Sequence, residues 1–322
     1  MSRVPDPALS RVVLIGTARY DFLPALASVE DNLLSLADVL TAEEVWGLPA
    51  DHVTIVADPV TSADLLDPVV RAADEATDTL IFYYAGHGLI GQRGDLHLAL
   101  VGSDAQRMYK AVSYAHVRDA LLGSRAARRI VVLDCCHSGR ALGIMADPVT
   151  AAVDEASAEG TYVLAATAEN QKALAPAGEP HTAFTAELLR IFEDGIQGHG
   201  PVLDLDTIYN HVRAAMRAKG RPLPQKRDRN TAGRLTLVRN RAHASPARKG
   251  KAMRSRLVEV GDFDSRRHAG GARAAQGKCS WHGVTCDEDV VASVLVRYGG
   301  GDAWHAVCRR ALRALQARGG TR

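Results

Sequence analysis

Two short segments carry residue types that can perform covalent chemistry. Tyr83-Tyr84-Ala85-Gly86-His87-Gly88 follows one apolar run, and Asp134-Cys135-Cys136-His137-Ser138-Gly139 follows another. A cysteine beside a histidine combines a nucleophile with a proton carrier. A free thiol has a pKa of ~8.5, and a nearby imidazolium lowers it enough for thiolate to exist at neutral pH. The thiolate attacks a carbonyl, and the imidazole delivers a proton to the leaving amine. Glycines next to both groups let backbone N–H donors approach a developing oxyanion. The separation of 49 positions between His87 and Cys136 is no obstacle, because such partners meet in space rather than in sequence.

The elements that must position these groups are legible as a repeating pattern. Val12–Ile15, Val53–Val56, Thr79–Tyr84, Ile130–Leu133 and Tyr162–Ala165 are short runs rich in β-branched, aromatic or other large apolar residues, which predicts buried strands. Between them lie helical patterns. Val29, Leu33, Leu36 and Leu40 fall on one helix face. Ala63 to Ala76, Tyr114 to Leu122, Thr182 to Phe192 and Asp206 to Lys219 also read as helices, with Pro68 expected to kink or restart the first of these. Gly88 to Leu100 suggests a hairpin. The alternation predicts an α/β domain with a mostly parallel sheet. In such sheets the functional crevice lies outside the C-terminal ends of the strands. His87 and the cysteines stand at two such ends, and they meet if the two strands are neighbours.

The paired motifs resemble the caspase-like cysteine peptidases, and more closely their metacaspase branch. Ala85-Gly86-His87-Gly88 matches the Gly-His-Gly element, and Asp134-Cys135-Cys136-His137-Ser138-Gly139 matches the Asp-x-Cys-His-Ser-Gly element. Gly16, Tyr20, Pro24, Phe184-Thr185 and Pro224-Gln225 also fit, so the resemblance spans roughly residues 10–240. It implies a caspase-like α/β/α sandwich with a mostly parallel central sheet. It also implies a cysteine endopeptidase acting on protein or peptide substrates, with His87 as general acid/base and Cys136 as nucleophile. The oxyanion hole would be the N–H groups of Gly88 and Cys136, and Asp134 would form an acidic pocket for Arg or Lys at P1. Two positions depart from the branch. Ala85 stands where Ser is frequent, and Asn32, with Asp31 adjacent, stands where a second acidic pocket residue is frequent. One carboxylate favours a cation less decisively than two. The other reading is a caspase-like scaffold that binds effector or sensor partners in a bacterial stress or defence system.

Charge divides the chain. The formal net charge is +2, but residues 1–238 carry −8 and residues 239–322 carry +10. The division predicts a peptidase domain over 8–240, a basic linker over 241–278 and a small C-terminal segment over 279–322, the last with a strand at Val290–Val296 and a helix at Trp304–Leu315. A solvated tether is a simpler reading of the basic stretch than nucleic-acid binding. Cys279, His282, Cys286, His305 and Cys308 have spacings that zinc can use, but they match no finger pattern, and no metal is expected. Nor does any acidic cluster fix a calcium site, although enzymes of this branch are sometimes calcium-dependent. The longest apolar run, Leu80 to Ala85, is far short of the roughly 20 residues of a spanning helix. With five cysteines, two of them adjacent, a cytoplasmic protein with reduced thiols is expected. Leu142 to Gly160, rich in Ala and acidic residues, is expected to be an exposed loop where processing could occur.

Overall fold

The computed structural model describes residues 4–135, 161–166, 179–228, 232–243, 256–268, 273–281, 288–298 and 301–318. Its centre is a six-stranded sheet in the order β10-β8-β7-β3-β1-β2. Five of these strands are parallel to their neighbours: β1 (Arg11–Gly16), β2 (Val53–Ala57), β3 (Thr79–Gly86), β7 (Arg128–Cys135) and β8 (Thr161–Ala165). The edge strand β10 (Gln225–Asp228) runs antiparallel to β8. A strand buried on both faces needs apolar side chains at every position rather than at alternate ones. The eight residues of β3 are accordingly all buried.

Strand alternation sends successive side chains to two cores. Leu14, Ile81, Tyr83, Ile130, Val132, Tyr162 and Leu164 face helices α1 (Ser28–Thr41), α4 (Ala183–Asp194) and α5 (Leu205–Ala218). Ile15, Phe82, Tyr84, Val131, Leu133 and Cys135 face α2 (Ser62–Glu75) and α3 (Tyr114–Leu122). The result is the expected three-layer sandwich. A small antiparallel sheet of β4 (Gly88–Ile90), β5 (Leu96–Leu98) and β6 (Val112–Ser113) follows the third strand, with β4 and β5 as the expected hairpin. Near the end of the domain, β9 (Val202–Asp204) and β11 (Thr236–Arg239) pair with each other apart from the central sheet.

Three expectations need correction. Helix α2 continues through Pro68. It opens with a reciprocal Thr61/Asp64 capping box, and Leu65, Val69, Ala72 and Ala73 pack on the sheet on both sides of the proline. That anchoring outweighs the one lost backbone bond. The stretch 241–278, expected as a linker, contains a strand, β12 (Arg256–Asp262), which pairs with β13 (Val290–Tyr298). Trp304 to Cys308 is not helical but belongs to β14 (Gly301–Cys308), and α6 begins only at Arg309 (Arg309–Arg318). Any helical preference of that stretch is overruled by the β13–β14 ladder, a tertiary choice that local propensity does not contain. Residues 305 and 308 therefore alternate across a strand instead of sharing a helix face. Among the described residues no cluster of His, Cys, Asp and Glu could hold a metal ion. The β12–β14 sheet and α6 bury Cys279, Trp281, Val294, Val307 and Leu315 in a third core, which packs against Leu34 of α1 and Ile55 of β2.

Candidate active site

The C-terminal ends of β1, β3 and β7 lie side by side and supply the candidate site. The β3–β7 register pairs Ala85 with Asp134 and Gly86 with Cys135. His87 follows Gly86 directly. Cys136, the candidate nucleophile, follows Cys135 directly and lies outside the described residues, as do His137 to Gly160. Cys135 faces the α2/α3 core and is fully buried.

His87 is fixed by its main chain. Its N–H donates to the Tyr20 hydroxyl at 2.9 Å. Its carbonyl accepts from the Ala99 N–H at 3.0 Å and from the Tyr84 hydroxyl at 3.1 Å. Gly86 makes this clamp possible. It has φ +155°, and a Cβ there would lie 2.7 Å from both phenol oxygens. Among the described residues the imidazole has one polar partner, the Pro24 carbonyl, 2.8 Å from Nε2. A carbonyl only accepts, so Nε2 carries the proton and the Nδ1 lone pair is left to handle another. The Tyr20 ring flanks the imidazole, with centroids 4.8 Å apart. Burial lowers the His87 pKa below its ordinary value, and the Pro24 bond opposes that only in part. The neutral ring is therefore favoured.

The loop after β1 holds both Tyr20 and Pro24, and Asp58 anchors it. Asp58 is the one described non-glycine residue in the left-handed region, with φ +52°. Its carboxylate accepts from the N–H groups of Ala18 and Arg19 at 2.8 and 3.0 Å and from Arg19 Nε at 2.7 Å. Strain at a strand end is tolerated where such bonds over-determine the backbone.

Asp134 points to the opposite core and is held through its side chain. It is fully buried. Its Oδ2 accepts from the hydroxyls of Thr182 and of Thr185, the latter at 2.6 Å. Because the Thr185 proton is committed to Asp134, the Tyr83 hydroxyl is the donor in its 2.8 Å contact with Thr185. Asn32 closes the ring. Its Nδ2 donates to Tyr83 at 3.1 Å and to Thr182 at 2.7 Å, and its Oδ1 accepts the Thr182 N–H at 3.2 Å. Desolvation raises the Asp134 pKa to about 6 despite these donors. Its second oxygen, Oδ1, is buried and has no hydrogen-bond partner among the described residues.

Two of the three expected pocket residues, Asp134 and Asn32, thus meet in one network. Asp31 is half-buried in the first turn of α1; the side chain that enters the network is that of Asn32. Gly88 begins β4 and is buried beside His87, while its expected partner in the oxyanion hole, the Cys136 N–H, lies outside the described residues. Sequence reading missed Tyr83, Tyr84, Thr182 and Thr185 as site residues. Thr182 and Thr185 are spaced i, i+3 at the start of a helix, which was a signal available in the sequence. Tyr83 and Tyr84 are indistinguishable in sequence from core aromatics.

A parallel sheet covered on both faces, with a histidine ending one central strand and an Asp-Cys pair ending its neighbour, defines a hydrolase-type crevice at the strand C-termini. The caspase-domain family model, Peptidase_C14, matches residues 10–236. The chain belongs to this family of cysteine-type peptidases and acts on protein or peptide substrates. No curated protein matches the chain. Among the described residues no helix is long and apolar enough to cross a membrane.

Proposed function

We propose that the chain is an endopeptidase of metacaspase-like specificity, working through Cys136 and His87 and preferring Arg or Lys at P1. The observation that supports the specificity is the buried Asp134 carboxylate, with Oδ2 satisfied by the Thr182 and Thr185 hydroxyls and Oδ1 without a donor among the described residues. A buried carboxylate oxygen without a donor is costly, and a substrate guanidinium or ammonium would relieve that cost. In the reaction, the Cys136 thiol gives its proton to His87 Nδ1 and Sγ bonds to the P1 carbonyl carbon. The oxyanion forms facing the Gly88 and Cys136 N–H groups. His87 then protonates the leaving amine as the C–N bond breaks, and water, deprotonated by the same ring, hydrolyses the thioester and frees the thiol. Nε2 stays on the Pro24 carbonyl throughout, so the ring keeps its orientation.

Fluorogenic peptides with Arg, Lys or Asp at P1, offered with and without calcium to the protein and to Cys136→Ala, test this reading. The expected result is turnover of the Arg and Lys peptides by the wild type alone. Equal signal from both proteins would remove Cys136 as the nucleophile. Absence of turnover under every condition would favour a binding scaffold.

A further inference from the structure

The proposed chemistry leaves unexplained two exposed aromatic side chains on the loops that adjoin His87. Phe22 is 60% exposed and Tyr109 is 81% exposed. Single exposed apolar residues are ordinary, but these two stand on two loops tied to each other, one of which holds the His87 ring. Phe22 is two residues from Pro24, whose carbonyl holds the His87 ring, so their Cα atoms are at most about 7 Å apart. The Lys110 ammonium lies 4.8 Å from the centroid of the Phe22 ring. That contact brings the 101–110 loop, with Tyr109, against the loop after β1. The Asp21 N–H ties the same two loops together by donating to the Val101 carbonyl at 2.9 Å.

Strand order says which part of a substrate would meet these loops. The nucleophile follows β7, the histidine follows β3, and Phe22 lies in the loop after β1, the next strand outward. The proton on the histidine goes to the leaving amine, so the leaving chain lies on the histidine's side of the scissile bond. Phe22 lies further in that direction. We infer that Phe22, with Lys110 stacked on it and Tyr109 adjacent, forms the subsite for the first residues on the leaving, primed side. It takes a large apolar side chain there, because the Phe22 ring gains by leaving water, and it disfavours Lys or Arg, because Lys110 repels a second cation. The enzyme would then read a cation before the cleaved bond and an apolar residue after it. This subsite rests on the peptidase reading above.

The test uses internally quenched peptides with Arg at P1 and Phe, Gly or Lys at P1′, and compares kcat/KM ratios within each protein. A short Arg amide with no primed residues reports the state of the dyad in each variant. The wild type should prefer Phe to Gly by about tenfold, in the range one apolar contact confers. Phe22→Ala should bring that ratio close to one, and Lys110→Ala should relieve the discrimination against Lys. Val70→Ala, which alters an exposed apolar residue on α2, should keep the wild-type ratios. A Phe:Gly ratio that survives Phe22→Ala, or a wild type indifferent to the primed residue, would overturn the subsite and leave the peptidase intact. A wild type that cleaves neither the peptides nor the amide would overturn both readings together.

Discussion

His87 and Asp134 end neighbouring strands, yet they are held by opposite means. The histidine is gripped by its backbone, through Tyr20, Tyr84 and the Ala99 N–H, and among the described residues its ring has one hydrogen-bond partner, the Pro24 carbonyl. The aspartate is gripped by its side chain, inside a ring of hydroxyls that the Asn32 amide closes. One cause, desolvation, moves both titrations in opposite directions: it lowers the imidazole from its usual 6.5 and raises the carboxyl to about 6. The contrast separates two jobs. A group that must exchange protons needs a fixed backbone and a free ring nitrogen. A group that must present charge needs a fixed oxygen and a dry wall.

The largest expected effect lies on the histidine side. His87→Ala should lower kcat about 10³-fold on every substrate, whatever its P1 residue, because general acid/base catalysis contributes on that scale. On the aspartate side the loss should be selective. Asp134→Asn keeps the size and most acceptor bonds but removes the charge, so kcat/KM for Arg and Lys peptides should fall about 10²-fold, the scale of a buried charged partner lost. A peptide with an uncharged P1 residue should lose far less. Equal losses on charged and uncharged P1 peptides would erase the division of labour and leave Asp134 as a structural group.

Acidity sharpens the same contrast. Binding of a P1 cation needs the Asp134 carboxylate ionised, so KM for Arg peptides should rise as pH falls through about 6, and Asp134→Asn should abolish that limb. Stability has the opposite sign. The folded pKa exceeds the unfolded value of 3.8, so the folded chain binds more protons between about 4 and 6 and loses stability as pH rises across that window. Melting curves of the wild type and Asp134→Asn should diverge across that window, with the wild type falling relative to the variant.

The two regions were unequally readable in the sequence. Strands β1, β2, β3, β7 and β8 were found because a strand buried on both faces is an uninterrupted apolar run, and His87 and Cys136 stood out because they follow such runs. The Asp134 network was only half visible. Asn32 could be placed on the helix register, but Thr182 and Thr185 come from a helix about 150 residues later than Asn32, and no local pattern encodes that meeting. The same reason hid β12 and β14. Leu257, Val258 and Val260 sit in an Arg-rich stretch and become a strand only by pairing with β13. Composition described that stretch as a tether, and non-local pairing decided otherwise.

The smallest effect probes the backbone grip itself. Tyr20→Phe removes one oxygen. The ring that flanks the imidazole stays, and so does the apolar packing, but the His87 N–H loses its acceptor. An unpaired N–H in a half-buried site costs about 1–3 kcal/mol unless the chain shifts to find a new partner. A shift is the cheaper response, since Gly86 lies directly before and is free in φ. The displaced imidazole would then be misaligned for proton transfer while the P1 pocket, gripped independently, is untouched. Tyr20→Phe should therefore lower kcat about five- to tenfold, as small misplacements of a reacting group do, with KM for Arg peptides unchanged. A variant that raised KM instead would show that the clamp and the pocket are coupled. One that changed neither would show that the Tyr84 hydroxyl and the Ala99 N–H, both on the carbonyl side of His87, hold the histidine without help from the amide side.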